Sequence, residues 1–438
     1  VTTLSTNFND LSTNLINNYN LIVKYSDTSL NNVDISKLNV DDILCNTFNS
    51  SYIKFYNDGG SVAIGDSTNV GYRSTSIGYY CGNFNQGGAS VALGFEAGKN
   101  NQSDQAVAIG RLSGTINQGK DSISIGNSAG HNYLGENSIA IGSNASSTDN
   151  SNNTLAIGYE AGTSSQNSYA VAIGYQAGYQ NQGTSALALG YNAGYTNQSQ
   201  YSVAIGYHSG NLDQNNNAIA IGYNAGYEAQ GMQAIAIGDY SAYGNTNEIA
   251  LQVTDPPITK YYINQKKGGI AIGHYAAHQG QGEYAINIGY GSGAHCAVYL
   301  DSWVDPDYPT NFNKNSISIG NSTSKYRQHQ QSIAIGYKAG ESNQKSNSIG
   351  IGTQSASVDQ GKKCVAIGFQ AGYSNQKDYS IAIGSNAGSY NLGKYSIAIG
   401  SNVAAPDISN IIVLNATGNA LNATISNGLY IAPIRKLN

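Results

Sequence analysis

The sequence repeats itself every 16 residues. The dipeptide Ile/Leu-Gly recurs with its glycine at positions 65 and 78, then at every sixteenth residue from 94 to 238. It resumes at 273, 289 and 320 and continues in steps of 16 to 400, giving 20 copies. A period this regular implies a stack of equivalent units, each packing on its neighbours, rather than two or three ordinary domains.

The columns of the repeat carry the physics. A typical copy reads Ser202-Val-Ala-Ile-Gly206-Tyr-His-Ser-Gly210. Three places before the glycine stands Val, Ile or Leu in every copy but one (Thr75), and one place before it Ile or Leu in all 20. Between them lies Ala in 15 copies. Apolar, small, apolar at period two predicts a strand, because successive side chains point to opposite faces. One unit then fits one coil of a β-solenoid, with two short strands of about five residues and two turns. On this reading the large pair points into the coil, so Val203, Ile205, Ile219 and Ile221 are the expected repeat core.

The alanine column falls on the opposite face. It holds no charge in any copy, whereas a solvated strand face would carry Thr, Lys or Glu. Ala204, Ala220 and Ala236 are therefore expected to meet another chain at short range. A three-fold bundle closes such a contact, which makes a homotrimer the expected assembly and a lone solenoid the alternative.

Two further columns have a character of their own. Gln stands eight residues after the glycine in 13 of 20 copies, with Leu134 and Leu392 among the exceptions. Leucine as a replacement suggests burial, with stacked amides bonding along the axis; a plain polar turn is the competing reading. The residue after the glycine is aromatic in half the copies, as at Tyr175, Tyr191 and Tyr207. These rings either stack and cover backbone or present a ladder that grips sugars or a host surface.

Outside the regular copies the chain reads as three domains. Residues 1–60 form an N-terminal connector, in which Leu4, Phe8, Leu11, Leu15, Asn18, Ile22 and Tyr25 fit a short coiled coil or, equally, a β-rich leader. Residues 61–404 form the repeat domain, with irregular coils at 239–272 and 290–319. Counting in 16s places Thr254 and Asp305 on register, so each interval reads as one degenerate coil, giving about 22 coils and, at about 4.8 Å each, a rod of about 105 Å. Residues 405–438 form a C-terminal β cap. Four of the six prolines stand in the irregular intervals, so these loops leave the wall. Their aromatics Trp303, Tyr299, Tyr308, Tyr261 and Tyr262 are the expected receptor or glycan contacts; closing a degenerate coil is their other possible use.

Composition removes several functions. Charged residues are 11 % and the net charge is −5 without a basic cluster, which argues against nucleic acid as a partner. No apolar run approaches the length of a membrane span, so no membrane insertion is expected. The four cysteines (Cys45, Cys81, Cys296, Cys364) have no metal spacing, and Cys81 and Cys364 fall in small columns, where buried packing is expected. Paired acids, a nucleophile–base set and a phosphate loop are lacking. We therefore expect no cofactor, no metal and no enzyme.

The run Ser-Val-Ala-Ile-Gly, as at 61–65 and 202–206, resembles the head repeat of trimeric autotransporter adhesins (YadA-like heads). That resemblance covers about 61–404 and implies a left-handed parallel β-roll wound as a trimer, although the repeat here is longer and no outer-membrane anchor is recognisable. The segment from Asn415 to Arg435 is similar to the stretch before the self-cleaving chaperone domain of phage and large-virus fibres. This implies a chaperone removed at Asn438, and the opening valine without a signal-peptide pattern also fits a processed product. Together with Asn/Ile/Tyr/Lys-rich usage, the expected function is a structural trimeric fibre or spike on a virion surface that attaches to a host. The alternative is a bacterial cell-surface adhesin that binds glycan or matrix. The partner expected in either case is the chain itself, with a host glycan or protein beyond it.

Overall fold

The computed structural model describes residues 60–64, 70–244, 264–295 and 313–434, all in the second of two compact units, 56–438. Every regular element among them is a short β-strand. In each copy the three residues before the glycine form one strand of a common parallel sheet. Val203–Ile205 pairs with Leu187–Leu189 on one side and Ile219–Ile221 on the other, equivalent residue on equivalent residue. Pairing by identical position is what a constant period produces, since any slip would turn every side chain to the wrong face.

The sheet has 22 strands, hence 21 steps from coil to coil, but not for the expected reason. Ile235–Ile237 pairs directly with Ile270–Ile272, and Ile286–Ile288 with Ile317–Ile319. Neither irregular interval inserts a coil into the sheet. Each is a single coil lengthened by 19 and 15 residues respectively. Register arithmetic cannot separate a degenerate coil from an excursion of nearly the same length. The count is restored at the C-terminal end, where Ile412–Asn415 and Leu429–Ala432 continue the parallel stack beyond the last repeat.

The second wall is thinner than expected. Where it is a strand it has three residues, as in Gln180–Gln182 and Ser342–Gln344, and elsewhere it is a lone bridge such as Thr196↔Leu212. The cause is local. Its middle residue is left-handed in coil after coil, with φ of 58° at Asn181, 56° at Asn197 and 54° at Asp213. Asn and Asp tolerate that region better than other side chains, which accounts for much of the asparagine.

The faces of the main strand are the reverse of the sequence expectation. Ala204, Ala220 and Ala236 are fully buried inside the coil, so they are not an interface with another chain. Val203, Ile205, Ile219 and Ile221 point outward and are only half-buried, so they are not the coil interior. The reason is width. A Cβ placed on Gly114 would lie 3.3 Å from the Ala108 methyl and closer still to Gln118; a coil this narrow admits methyls and hydroxyls but not a branched side chain. Small residues were required by the near approach of two walls of one coil.

The space left inside is filled by glutamine, as the burial of Leu134 and Leu392 in the same column suggested. Gln182, Gln198 and Gln214 are fully buried, and each Nε2 donates to the next Oε1, at 3.2 Å for both steps. The same Nε2 of Gln198 donates to the Leu187 carbonyl at 2.9 Å. Cys81 and Cys364 are buried free thiols in the small columns, and burial raises the pKa of both. The glycine after each strand cannot be replaced by an L-residue without strain. Gly206 has φ +123° and its missing Cβ would stand 2.6 Å from the Gly222 carbonyl oxygen.

Candidate contact surface

The turn that follows Gly158 and its successors carries the most distinctive exposed surface among the described residues. Because each coil repeats the same backbone, one aromatic per coil becomes a stack. The rings of Tyr159, Tyr175, Tyr191, Tyr207 and Tyr223 lie face to face with centroids 5.2, 4.8, 5.0 and 5.0 Å apart and planes within 14°. Each remains between 42 and 46 % exposed. The rings stack, as one reading of this column has it, and they stay open to solvent.

A second aromatic column, four residues further on, was not singled out in the sequence. Tyr179 stacks on Tyr195 at 5.0 Å and Tyr227 on Tyr243 at 5.0 Å. The signal was present as an aromatic five residues after the glycine, but Asn211 interrupts it. His208 joins the two columns, with its ring 4.2 Å from Tyr207 and 5.9 Å from Tyr227. Burial against these rings lowers the His208 pKa. Burial likewise raises the Tyr195 and Tyr227 phenols above their ordinary value.

At its C-terminal end the surface gains histidines. Tyr240 stacks on Tyr275 at 5.3 Å, His278 on Tyr243 at 5.3 Å, and His274 on Tyr290 at 5.2 Å. His274 Nε2 lies 3.3 Å from Asp239 Oδ2. Burial, reinforced by His295 and His274 nearby, lowers the His278 pKa to about 4. Among the described residues no three His, Cys, Asp or Glu side chains gather as ligands for a metal ion. The expected contacts Trp303, Tyr299, Tyr308, Tyr261 and Tyr262 lie outside the described residues, as does the 1–25 seam. Gly244 and His295 each stand six residues after a repeat glycine, in two coils separated by one regular coil.

A different surface runs beside it. The outward Val and Ile columns contain no charged residue in 20 copies, and Ile64, Leu93, Leu189, Ile367 and Ile399 are each more than a third exposed. A lone soluble chain rarely leaves so long an apolar strip to water.

A model of the YadA head domain repeat matches residues 134–161, 214–241 and 376–402. No curated protein matches the chain. The matched stretches contain the repeat glycines Gly142, Gly222 and Gly384, so YadA head repeats are present in a chain whose described residues form an all-β solenoid.

Proposed function

We propose that the chain is the repeat shaft of a homotrimeric extracellular surface fibre, structural rather than catalytic, that serves attachment. The observation that carries this reading is the pair of uncharged Val/Ile columns facing outward along the main sheet. Burying them between copies removes water from apolar area at about 25 cal/mol per Å², repeated at every coil. A three-fold axis closes the contact with equivalent surfaces and leaves no open end to aggregate sideways. The matched YadA head repeats support an adhesin-like fibre of this type.

The similarity of 415–435 to virus fibre ends favours a virion as the carrier; the head repeats favour a bacterial surface. Labelled antibody against the purified chain, applied to intact virions and to intact bacteria of the source, separates the two. Labelling on virions supports the spike, labelling on cells the adhesin, and labelling on neither removes the surface-fibre reading.

A further inference from the structure

We infer that the tyrosine ladder from Tyr159 to Tyr223 is a binding track for a neutral, extended β-1,4-linked glycan laid along the coil axis, one tyrosine to one sugar. The inference rests on the geometry of a single chain and adds a ligand class and a location to the attachment reading above.

Rings stacked face to face at 4.8–5.2 Å have no free π-face except at the ends of the stack. The usual way an aromatic holds a sugar, ring face against C–H face, is therefore closed to the interior of the ladder. What the stack leaves to solvent is a row of ring edges and hydroxyls at one repeat per coil. Among the described residues, the hydroxyls of Tyr175, Tyr191 and Tyr207 have no hydrogen-bond partner in the chain, whereas Tyr159 bonds to Glu160 and Tyr223 to Tyr240. The middle of the ladder is thus a line of evenly spaced hydroxyls open to solvent.

Two properties select the ligand. The first is pitch. A β-1,4-linked pyranose ribbon advances per sugar by close to the spacing of these rings; alternate sugars are flipped about the chain, so one edge presents a hydroxyl to each successive phenol, with equivalent hydroxyls at every second ring. An α-1,4-linked glucan coils and loses that register after a few units. The second is charge. Beside Tyr175, Tyr191 and Tyr207 stand Gln176, Asn192 and His208, all neutral at pH 7, with the imidazole held neutral by its lowered pKa. Gln176 Nε2 is taken by Glu160 Oε2 at 2.7 Å, so recognition falls to the phenols, and a carboxylate beside the ladder with no cation among these three neighbours offers nothing to an anionic polymer.

The test uses the whole chain with cellohexaose, chitohexaose and maltohexaose as probes, followed by calorimetry. Binding of at least one β-1,4 hexaose, about tenfold or more tighter than its disaccharide and without binding of maltohexaose, is the expected result. The triple variant Tyr175→Phe/Tyr191→Phe/Tyr207→Phe removes only the hydroxyls; Phe95 and Phe369 already occupy this column, so its melting temperature and oligomeric mass should not change while hexaose binding falls tenfold or more. Unchanged binding in that variant, equal binding of maltohexaose, or no hexaose binding at all overturns the proposal. Should the triple variant dissociate, the ladder is a contact between copies and the glycan track is likewise excluded; an intact trimer that binds no hexaose overturns the track and leaves the fibre reading standing.

Discussion

Gln198 accepts a hydrogen bond at Oε1 from Gln182 and donates from Nε2 to Gln214, both at 3.2 Å, in the interior of the coil stack. With its second donation, to the Leu187 carbonyl, this one amide links three coils and ties the thin wall to the main sheet. The stack is therefore held by polar satisfaction as much as by apolar burial, since an amide stripped of these partners would bear the full cost of desolvation.

Removing that amide should be expensive. Gln198→Ala leaves a cavity and an unpaired neighbour, and should lower stability by about 2–4 kcal/mol in chemical denaturation. Gln198→Leu fills the volume in the manner of Leu134 and Leu392 and should cost about 1–2 kcal/mol. Equal losses for the two would mean that the hydrogen bonds alone matter, and a Leu variant as stable as the parent that volume alone does.

The repeat glycine should be intolerant for a reason distinct from its φ. Gly206→Ala meets the Gly222 carbonyl oxygen at 2.6 Å and should cost about 3 kcal/mol or more. Gly291 also has a positive φ, +58°, but nothing lies within 4 Å of its missing Cβ, so Gly291→Ala should cost only about 1 kcal/mol. Thermal melts of the two variants make the comparison, and similar losses would remove the role of coil-to-coil approach.

Stability should fall in acid through His278. Its folded pKa, about 4, lies below the ordinary 6.5. The unfolded chain therefore binds more protons between these values, and stability rises with pH across that window. Full stability is expected above about pH 6.5, with progressive loss from there down to about pH 4. His278→Phe keeps a ring against Tyr243 and should reduce the slope of melting temperature against pH over this range, leaving the part that His208 and His295 contribute through their own lowered pKa values; an unchanged slope would place the acid sensitivity elsewhere.

Much of this fold was legible in the sequence because period and small columns translate directly into backbone. The strand at Val203–Ile205, the solenoid, the parallel in-register pairing and the buried glutamines all follow from them. The orientation of the strand did not, because Val-Ala-Ile alternates equally well with either face inward. Only the width of the coil decides, and that width depends on how the second wall approaches, which Asn181 and Asn197 set through their left-handed backbone. The aromatic surface was half legible: the column at Tyr175 and Tyr191 was visible, while its companion at Tyr179 and Tyr195 is broken in sequence by Asn211 and rejoined in space by His208.

The inverted faces make an opposed pair of substitutions informative. Ala204→Ile places a branched side chain inside the coil and should destabilise by about 3 kcal/mol or more, as overpacking does. Ile205→Thr changes the outward column and should cost the isolated fold about 1 kcal/mol or less. Denaturation at protein concentrations low enough to suppress association distinguishes them, and the reverse order would restore an apolar coil interior.

The central claim is that the outward Val/Ile columns are buried between three copies. Sedimentation equilibrium measures it most directly, on the intact chain and on the variant Val203→Glu/Ile205→Glu/Ile219→Glu/Ile221→Glu. The account predicts a mass three times the 45.9 kDa of the chain for the first, and a smaller mass with retained β-sheet circular dichroism for the second. A 45.9 kDa species for the unaltered chain, or a trimer undisturbed by four buried carboxylates, would contradict it.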